Sequence, residues 1–167
     1  MALARGIPWF LVLVATLLGA PAGLRAADWG GISPGASTIE TVRGRYGAPS
    51  RESREKVEGY DTSRWIYEGA RAPAGVKRLI VDFGILTAAG YRPNLVRYFE
   101  LDPKPMMFNL RTIVEGWGAP DPREEEGGRP LLSYYKAGLF VYLDDAGEDA
   151  VSMFFTLPQS DPPPASK

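Results

Sequence analysis

The chain has no cysteine and no histidine among its 167 residues. Without cysteine there is no disulfide framework, no thiolate nucleophile and no lipoprotein acylated on sulfur. Without histidine there is no Ser-His-Asp triad. With both missing there is no Cys/His zinc site and no haem ligated by either residue. An excess of one charge is missing too, since 19 basic side chains oppose 20 acidic ones. That balance leaves no electrostatic footprint for nucleic acid. No Asn-x-Ser/Thr sequon occurs, so no N-glycosylated surface is marked. Nothing in the composition calls for a cofactor. The apolar share, 45%, is that of a globular protein with a packed core.

Long apolar runs are scarce. The longest follows Arg5, from Trp9 to Leu18, and leads into Gly19-Ala20-Pro21-Ala22. A membrane-spanning helix takes about 20 apolar residues, so this run is too short to cross. A positive start, an apolar stretch and small residues in that order read as a secretory signal peptide. Cleavage fits after Ala22 or after Ala26. The expected division is a signal peptide over 1–26, a first α+β module over 27–101, a second over 102–158, and a disordered proline-rich tail over 159–167. In that tail Asp161-Pro162-Pro163-Pro164 cannot join a helix or a central strand. An exported domain without cysteine depends on its core alone, which suits a bacterial periplasm better than a eukaryotic secretory route.

The two modules are expected because one pattern occurs twice. Thr41 to Pro49 (TVRGRYGAP) lines up with Thr112 to Pro120 (TIVEGWGAP). Further on, Trp65-Ile66-Tyr67 matches Ser133-Tyr134-Tyr135, Leu79-Ile80-Val81 matches Leu139-Phe140-Val141, and Tyr98 to Leu101 matches Phe154 to Leu157. Each unit opens with a helix. Ser37 and Glu40 fit a capping box for the first, with Ile39, Val42 and Tyr46 on its apolar face. Met107, Leu110, Val114 and Trp117 form the stripe of the second. Gly47 and Gly118 suit helix ends, and Pro49 and Pro120 prevent resumption.

Three strands are then expected in each unit, with alternation that describes an antiparallel sheet covered on one side. The covered face takes Leu79, Val81, Phe83, Leu95, Phe99, Leu101, Leu139, Val141, Leu143, Val151, Met153, Phe155 and Leu157. The opposite face then carries Tyr67, Ile80, Tyr98, Tyr135, Phe140, Tyr142 and Phe154. An aromatic face is unusual for a solvated sheet and points to a protein-binding surface, because Tyr and Trp are enriched at interface hot spots. Asp144 to Asp149 reads as a hairpin turn rather than a calcium loop, since the EF-hand spacing is not met. Asp121 to Gly128 reads as a flexible acidic surface loop.

Other motifs carry no chemistry here. Gly31-Ile32-Ser33-Pro34-Gly35 matches the nucleophile elbow G-x-S-x-G, but no strand precedes it and no histidine exists to take the proton. Ser53-Arg54-Glu55-Lys56 matches S-x-x-K without its companion motifs and reads as a charged solvated segment. Asp82-Phe83-Gly84 matches D-F-G with no kinase motif beside it and reads as the end of a strand. Charge is shared unevenly: residues 27–99 hold 11 basic and 8 acidic groups, and residues 100–167 hold 6 and 12. Such asymmetry can orient a charged partner during encounter.

Gly35 to Val42, then Tyr46-Gly47-Ala48-Pro49, then Trp65-Ile66-Tyr67 resembles the BamE/SmpA group of outer-membrane assembly proteins. The doubled unit is similar to the β-lactamase inhibitor protein type, built from two such modules. The BamE type is a one-module lipoprotein and the inhibitor type carries disulfides, and this chain has neither feature. The resemblance implies helices on one face of an antiparallel sheet and a habit of binding proteins. The expected function is thus a non-enzymatic periplasmic binding module, in envelope assembly or in inhibition of a secreted enzyme, with a protein partner, no metal, no nucleic acid and no lipid anchor. Two alternatives stay open: a carboxylate-based enzyme or glycan binder, and a carrier of a small apolar ligand.

Overall fold

A computed structural model describes residues 26–121, 124–126 and 128–160. The expected signal segment up to residue 25 and the proline-rich stretch from residue 161 lie outside the described residues. Helix α1 (Ile39–Tyr46) is followed by strands β1 (Arg51–Val57), β2 (Tyr60–Glu68), β3 (Val76–Thr87) and β4 (Gly90–Pro103). Helix α2 (Leu110–Trp117) is followed by β5 (Glu124–Glu126), β6 (Arg129–Tyr134), β7 (Leu139–Leu143) and β8 (Ala150–Phe155). All eight strands form one antiparallel sheet in the order β1-β2-β3-β4-β8-β7-β6-β5. The class is therefore α+β, with four strands after each helix rather than three. The charged solvated segment around Ser53 is edge strand β1, exposed along its length, whose charges blunt an edge that would otherwise pair with other chains. The acidic segment after Asp121 likewise contributes β5 at the other edge.

Both helices pack on one sheet face. Val42 and Ile113 are fully buried there with Trp65, Leu79, Val81, Phe99, Leu101, Val141 and Phe155. Thr38, not Ser37, caps α1: its hydroxyl accepts from the Thr41 N–H. Ser37 is turned the other way, and its hydroxyl accepts from the Ser33 N–H. Asn109 caps α2 in the same manner, accepting from the Thr112 N–H. In α2 the buried residue is Ile113, while Met107 lies before the helix and is exposed. Both helices end on a glycine whose carbonyl accepts a tyrosine hydroxyl. Tyr67 donates to Gly47 and Tyr134 donates to Gly118, each at 3.1 Å. The next residues repeat a second device: the Ser50 N–H donates to Ile66 O, and the Asp121 N–H donates to Ser133 O.

The register shifts at four places, three between β3 and β4 and one between β7 and β8, and two of them decide which residues are buried. Between Asp82↔Tyr98 and Phe83↔Val96, β4 carries Arg97 as an extra residue. A single inserted residue reverses which face every later side chain takes. Val96 is therefore the buried residue, and Leu95, expected in the core, is not. A register shift near Leu143 has the same effect on β8, where Ala150 is buried and Val151 is exposed. Strand β8 ends at Phe155, which leaves Leu157 exposed as well. Strand β4 runs to Pro103, two residues past the boundary expected at residue 101. Gln159 still belongs to the fold, its N–H donating to Tyr135 O.

Candidate functional site

Six of the seven residues expected on the outer face are there: Ile80, Tyr98, Phe140, Tyr142 and Phe154 stand in strands, and Tyr135 reaches it from a turn. Cross-strand register sets Ile66 beside Ile80, Ile80 beside Glu100, Glu100 beside Phe154, and Phe154 beside Phe140. Tyr142 lies on the same face between Leu131 and Ser152. Tyr98 meets Phe154 with ring centroids 4.9 Å apart. Tyr135 is not in a strand but in the short 3-10 turn after β6, and it reaches the face from there, its ring edge-on to Phe140 at 5.3 Å.

Tyr67 must be corrected. It pairs with Leu79 on the helix face and is fully buried, with its hydroxyl on the Gly47 carbonyl. The slip has a simple origin. Tyr67 corresponds to Tyr134, since both donate to the glycine that ends a helix, and not to Tyr135. An alignment shifted by one residue places a side chain on the wrong face.

The face also holds residues that periodicity did not reveal. Tyr60 and Tyr91 stack at 4.5 Å near the tips of the β1–β2 and β3–β4 hairpins. Tyr91 lies over Gly84, where the missing side chain leaves room for its hydroxyl, which donates to Asp61 O. Next to it the Arg97 bulge brings three charged groups together. The Asp82 side chain is only 4% exposed, against 36% for Arg64 and 27% for Arg97. Arg64 Nε donates to both Asp82 oxygens, at 3.2 and 3.0 Å, and a terminal nitrogen of Arg64 donates to the Tyr98 hydroxyl at 2.9 Å. Arg97 reaches Asp82 at 3.5 Å and lies over the Tyr98 ring at 5.0 Å. The Arg64 guanidinium is held further from deprotonation than usual, first by its hydrogen bonds to Asp82. The signal that would have found this cluster is Asp82 itself. An acidic residue inside the run Leu79-Ile80-Val81-Asp82-Phe83 must be paired if the strand is central.

A continuous band thus crosses the face from Tyr60 and Tyr91, over Arg97 and Tyr98, to Phe154, Phe140 and Tyr135. Chemically it offers flat apolar surfaces with guanidinium groups among them. Among the described residues no group of three or more acidic residues is arranged to hold a metal ion. The Asp144 turn closes on itself: its carboxylate accepts from the Glu148 and Asp149 N–H groups, and these bonds hold its pKa below the usual carboxylate range. Ser33 lies in a loop beside an open depression of about 560 Å³, lined by Asp28, Ile32, Leu157 and Pro158. Among the described residues no strand leads into it, and the chain has no histidine to take the serine's proton, so the elbow geometry is not formed. Among the described residues no helix is long and apolar enough to cross a membrane.

No protein-family model matches the chain, and no curated protein is similar to it. Two solved structures are similar in part. One is the DUF4309 family protein YjgB of Bacillus subtilis, with a TM-score of 0.45 and 9% identity, covering 76% of this chain and 82% of that one. The other is an extracellular protein of Bacillus anthracis containing an SCP domain, with a TM-score of 0.45 and 12% identity over 80% of this chain. The match spans 48% of that second protein, about half its length.

Proposed function

We propose that the protein is an exported, non-enzymatic protein-binding module, built of two tandem helix-plus-strand units of the BamE and β-lactamase-inhibitor kind, and acting in the bacterial periplasm. Its work is either envelope assembly or restraint of a secreted enzyme. The observation that carries this reading is the aromatic band on the sheet face turned away from both helices. A sheet face that meets only water would be more polar. Aromatic and arginine side chains in one patch are the usual composition of a binding hot spot. The repeated tyrosine-to-glycine bond and the paired β4 and β8 support the two-unit description. A carboxylate-based enzyme has less support, because Asp82, the buried carboxylate of this face, is engaged by two arginines rather than by a second carboxylate.

The test is affinity capture from periplasmic extract with two baits, the secreted chain and a folded Tyr98→Ala, Tyr142→Ala, Phe154→Ala variant. Each hot-spot truncation typically costs about 2 kcal/mol or more, so the triple change should abolish retention of a specific partner. A partner held equally by both baits places the interface elsewhere. Specific retention by neither removes the reading.

A further inference from the structure

We infer that Arg97 and Arg64 form a receptor for a carboxylate, so that the partner presents an aspartate or glutamate among apolar side chains. This deepens the reading of the face as a partner surface and rests on it. One carboxylate cannot satisfy two guanidinium groups. Arg64 has taken both oxygens of Asp82 and the Tyr98 hydroxyl. Arg97 is left with one long approach to Asp82, and its buried Nε–H has no acceptor. An incoming anion meets the solvent-facing part of this guanidinium and adds the charge-assisted bonds that Asp82 does not supply, while the buried Nε–H stays beneath. Burial divides the cluster unevenly. Asp82 is sealed beneath, while about a third of each arginine reaches solvent. The surface a partner meets is therefore cationic.

Two neighbouring cations are already paired and add nothing to the cluster, and the nearest acidic group of this face is held one row off. Arg78 is paired with Asp102 at 2.7 Å, and Lys56 with Asp61 at 3.4 Å. Glu100 accepts from the Ser152 hydroxyl one row away. Arg97 is also preorganised. Its plane is fixed between the Tyr98 ring and the Asp82 carboxylate, which reduces the entropy lost on forming a forked bond to a second carboxylate. Tyr98 and Phe154 lie alongside as apolar ground for the residues flanking the acid. The basic excess over residues 27–99 would steer such an acidic partner toward this half of the sheet.

The test uses the ¹⁵N-labelled full secreted chain and three probes: a capped Leu-Glu-Phe peptide, its Leu-Gln-Phe analogue, and inorganic phosphate. The Arg97 Nε–H resonance reports on the site in the unaltered protein, so no variant has to fold. The glutamate peptide should move that resonance saturably, and the glutamine peptide should bind about tenfold more weakly, the ratio a charge-assisted forked bond supplies. Arg97→Gln should erase the difference between the peptides. If both peptides move the Tyr98 and Phe154 amides alike and leave Arg97 still, the carboxylate receptor is refuted while the partner face stands. If neither peptide moves any of them, both readings fail. If phosphate moves Arg97 as far as the glutamate peptide does, the cluster takes anions in general and the assignment to an acidic protein segment is overturned.

Discussion

The same substitution should act in opposite directions at two glycines. Gly138 ends the turn after β6 in the left-handed conformation, at φ 66° and ψ 35°. Its N–H donates to Tyr135 O at 3.0 Å, and its carbonyl accepts the Thr156 N–H at 2.7 Å. A Cβ added there would lie against the Thr156 carbonyl oxygen and 2.5 Å from that of Leu157. These are backbone atoms, which cannot swing aside as a side-chain tip can. An alanine in this conformation costs about 1–2 kcal/mol by itself. Moving the segment after β8 endangers the Thr156 bond, worth about 1 kcal/mol. It also disturbs Phe155, which stacks on Phe99 at 4.4 Å and meets Trp117 at 6.1 Å. Gly138→Ala should therefore destabilise by roughly 3 kcal/mol or more.

Gly44 stands inside α1 and faces open space, with nothing within 4 Å of an added Cβ. Alanine there should stabilise by about 0.5–1 kcal/mol, since it restricts the unfolded chain and suits a helix. The assay is urea unfolding of the three proteins side by side, with equal slopes. At an ordinary slope of about 1–3 kcal/mol per molar, the two variants' midpoints should be separated by roughly 2 M, on opposite sides of the parent. A Gly138→Ala midpoint within error of the parent would refute the left-handed turn and the close approach of β8 together.

Asp82→Ala strands two guanidinium groups. Breaking a fully buried pair costs about 3–5 kcal/mol, but a third of each arginine is in water, so about 2 kcal/mol is expected. Asp82→Asn should cost less, and adding Arg97→Met to Asp82→Ala should recover part of the loss in the same unfolding assay; no loss in either single variant would mean that the cluster is not formed. Burial pushes the Tyr67 phenol up to about 12 from 10.0, so the unfolded chain gives up this proton first as pH rises. Stability should hold below pH 10 and fall between pH 10 and about 12, by on the order of 2–3 kcal/mol from Tyr67. Burial raises Tyr46 and Tyr134 in the same direction, so Tyr67→Phe should flatten the alkaline slope only in part, besides costing about 1 kcal/mol at neutral pH through the lost bond to Gly47. An unchanged slope in that variant would place Tyr67 in solvent.

The helices and most of the sheet were legible because their signals are local. Gly47-Ala48-Pro49 and Gly118-Ala119-Pro120 stop helices by backbone chemistry that needs no tertiary context. Leu139, Val141 and Leu143 alternate cleanly because β7 has a helix-side face and an outer face. β1 was not legible, since Arg51 to Lys56 is charged on both sides, as an edge strand with one free rim is free to be. The cap of α1 was missed for a similar reason: Ser37 and Thr38 offer the same oxygen, and only the loop back to Ser33 decides between them. Tyr67 and Tyr135 were confused because similarity between two halves fixes order but not parity, and on a strand one residue of error exchanges inside for outside.

At the Arg97 bulge the sequence periodicity fails and the candidate site arises for one and the same reason. In a regular strand the residue between Val96 and Tyr98 would point opposite to both. Val96 enters the core and Tyr98 faces outward only because Arg97 is an added residue, and the addition lets Arg97 share the outer face with Tyr98 and Asp82. Deleting Arg97 should then be better tolerated than deletions in a strand usually are. It would join Val96↔Phe83 directly to Tyr98↔Asp82 in an unbroken ladder, with every other side chain keeping its face. The expected protein is folded, with unfolding as cooperative as the parent's, Asp82 still held by Arg64, and no preference left between the glutamate and glutamine peptides. Deletion of Phe99, two residues on, has no such compensation and should unfold the chain. If both deletions abolish folding equally, Arg97 is not an inserted residue and the outer-face cluster built upon it falls with it.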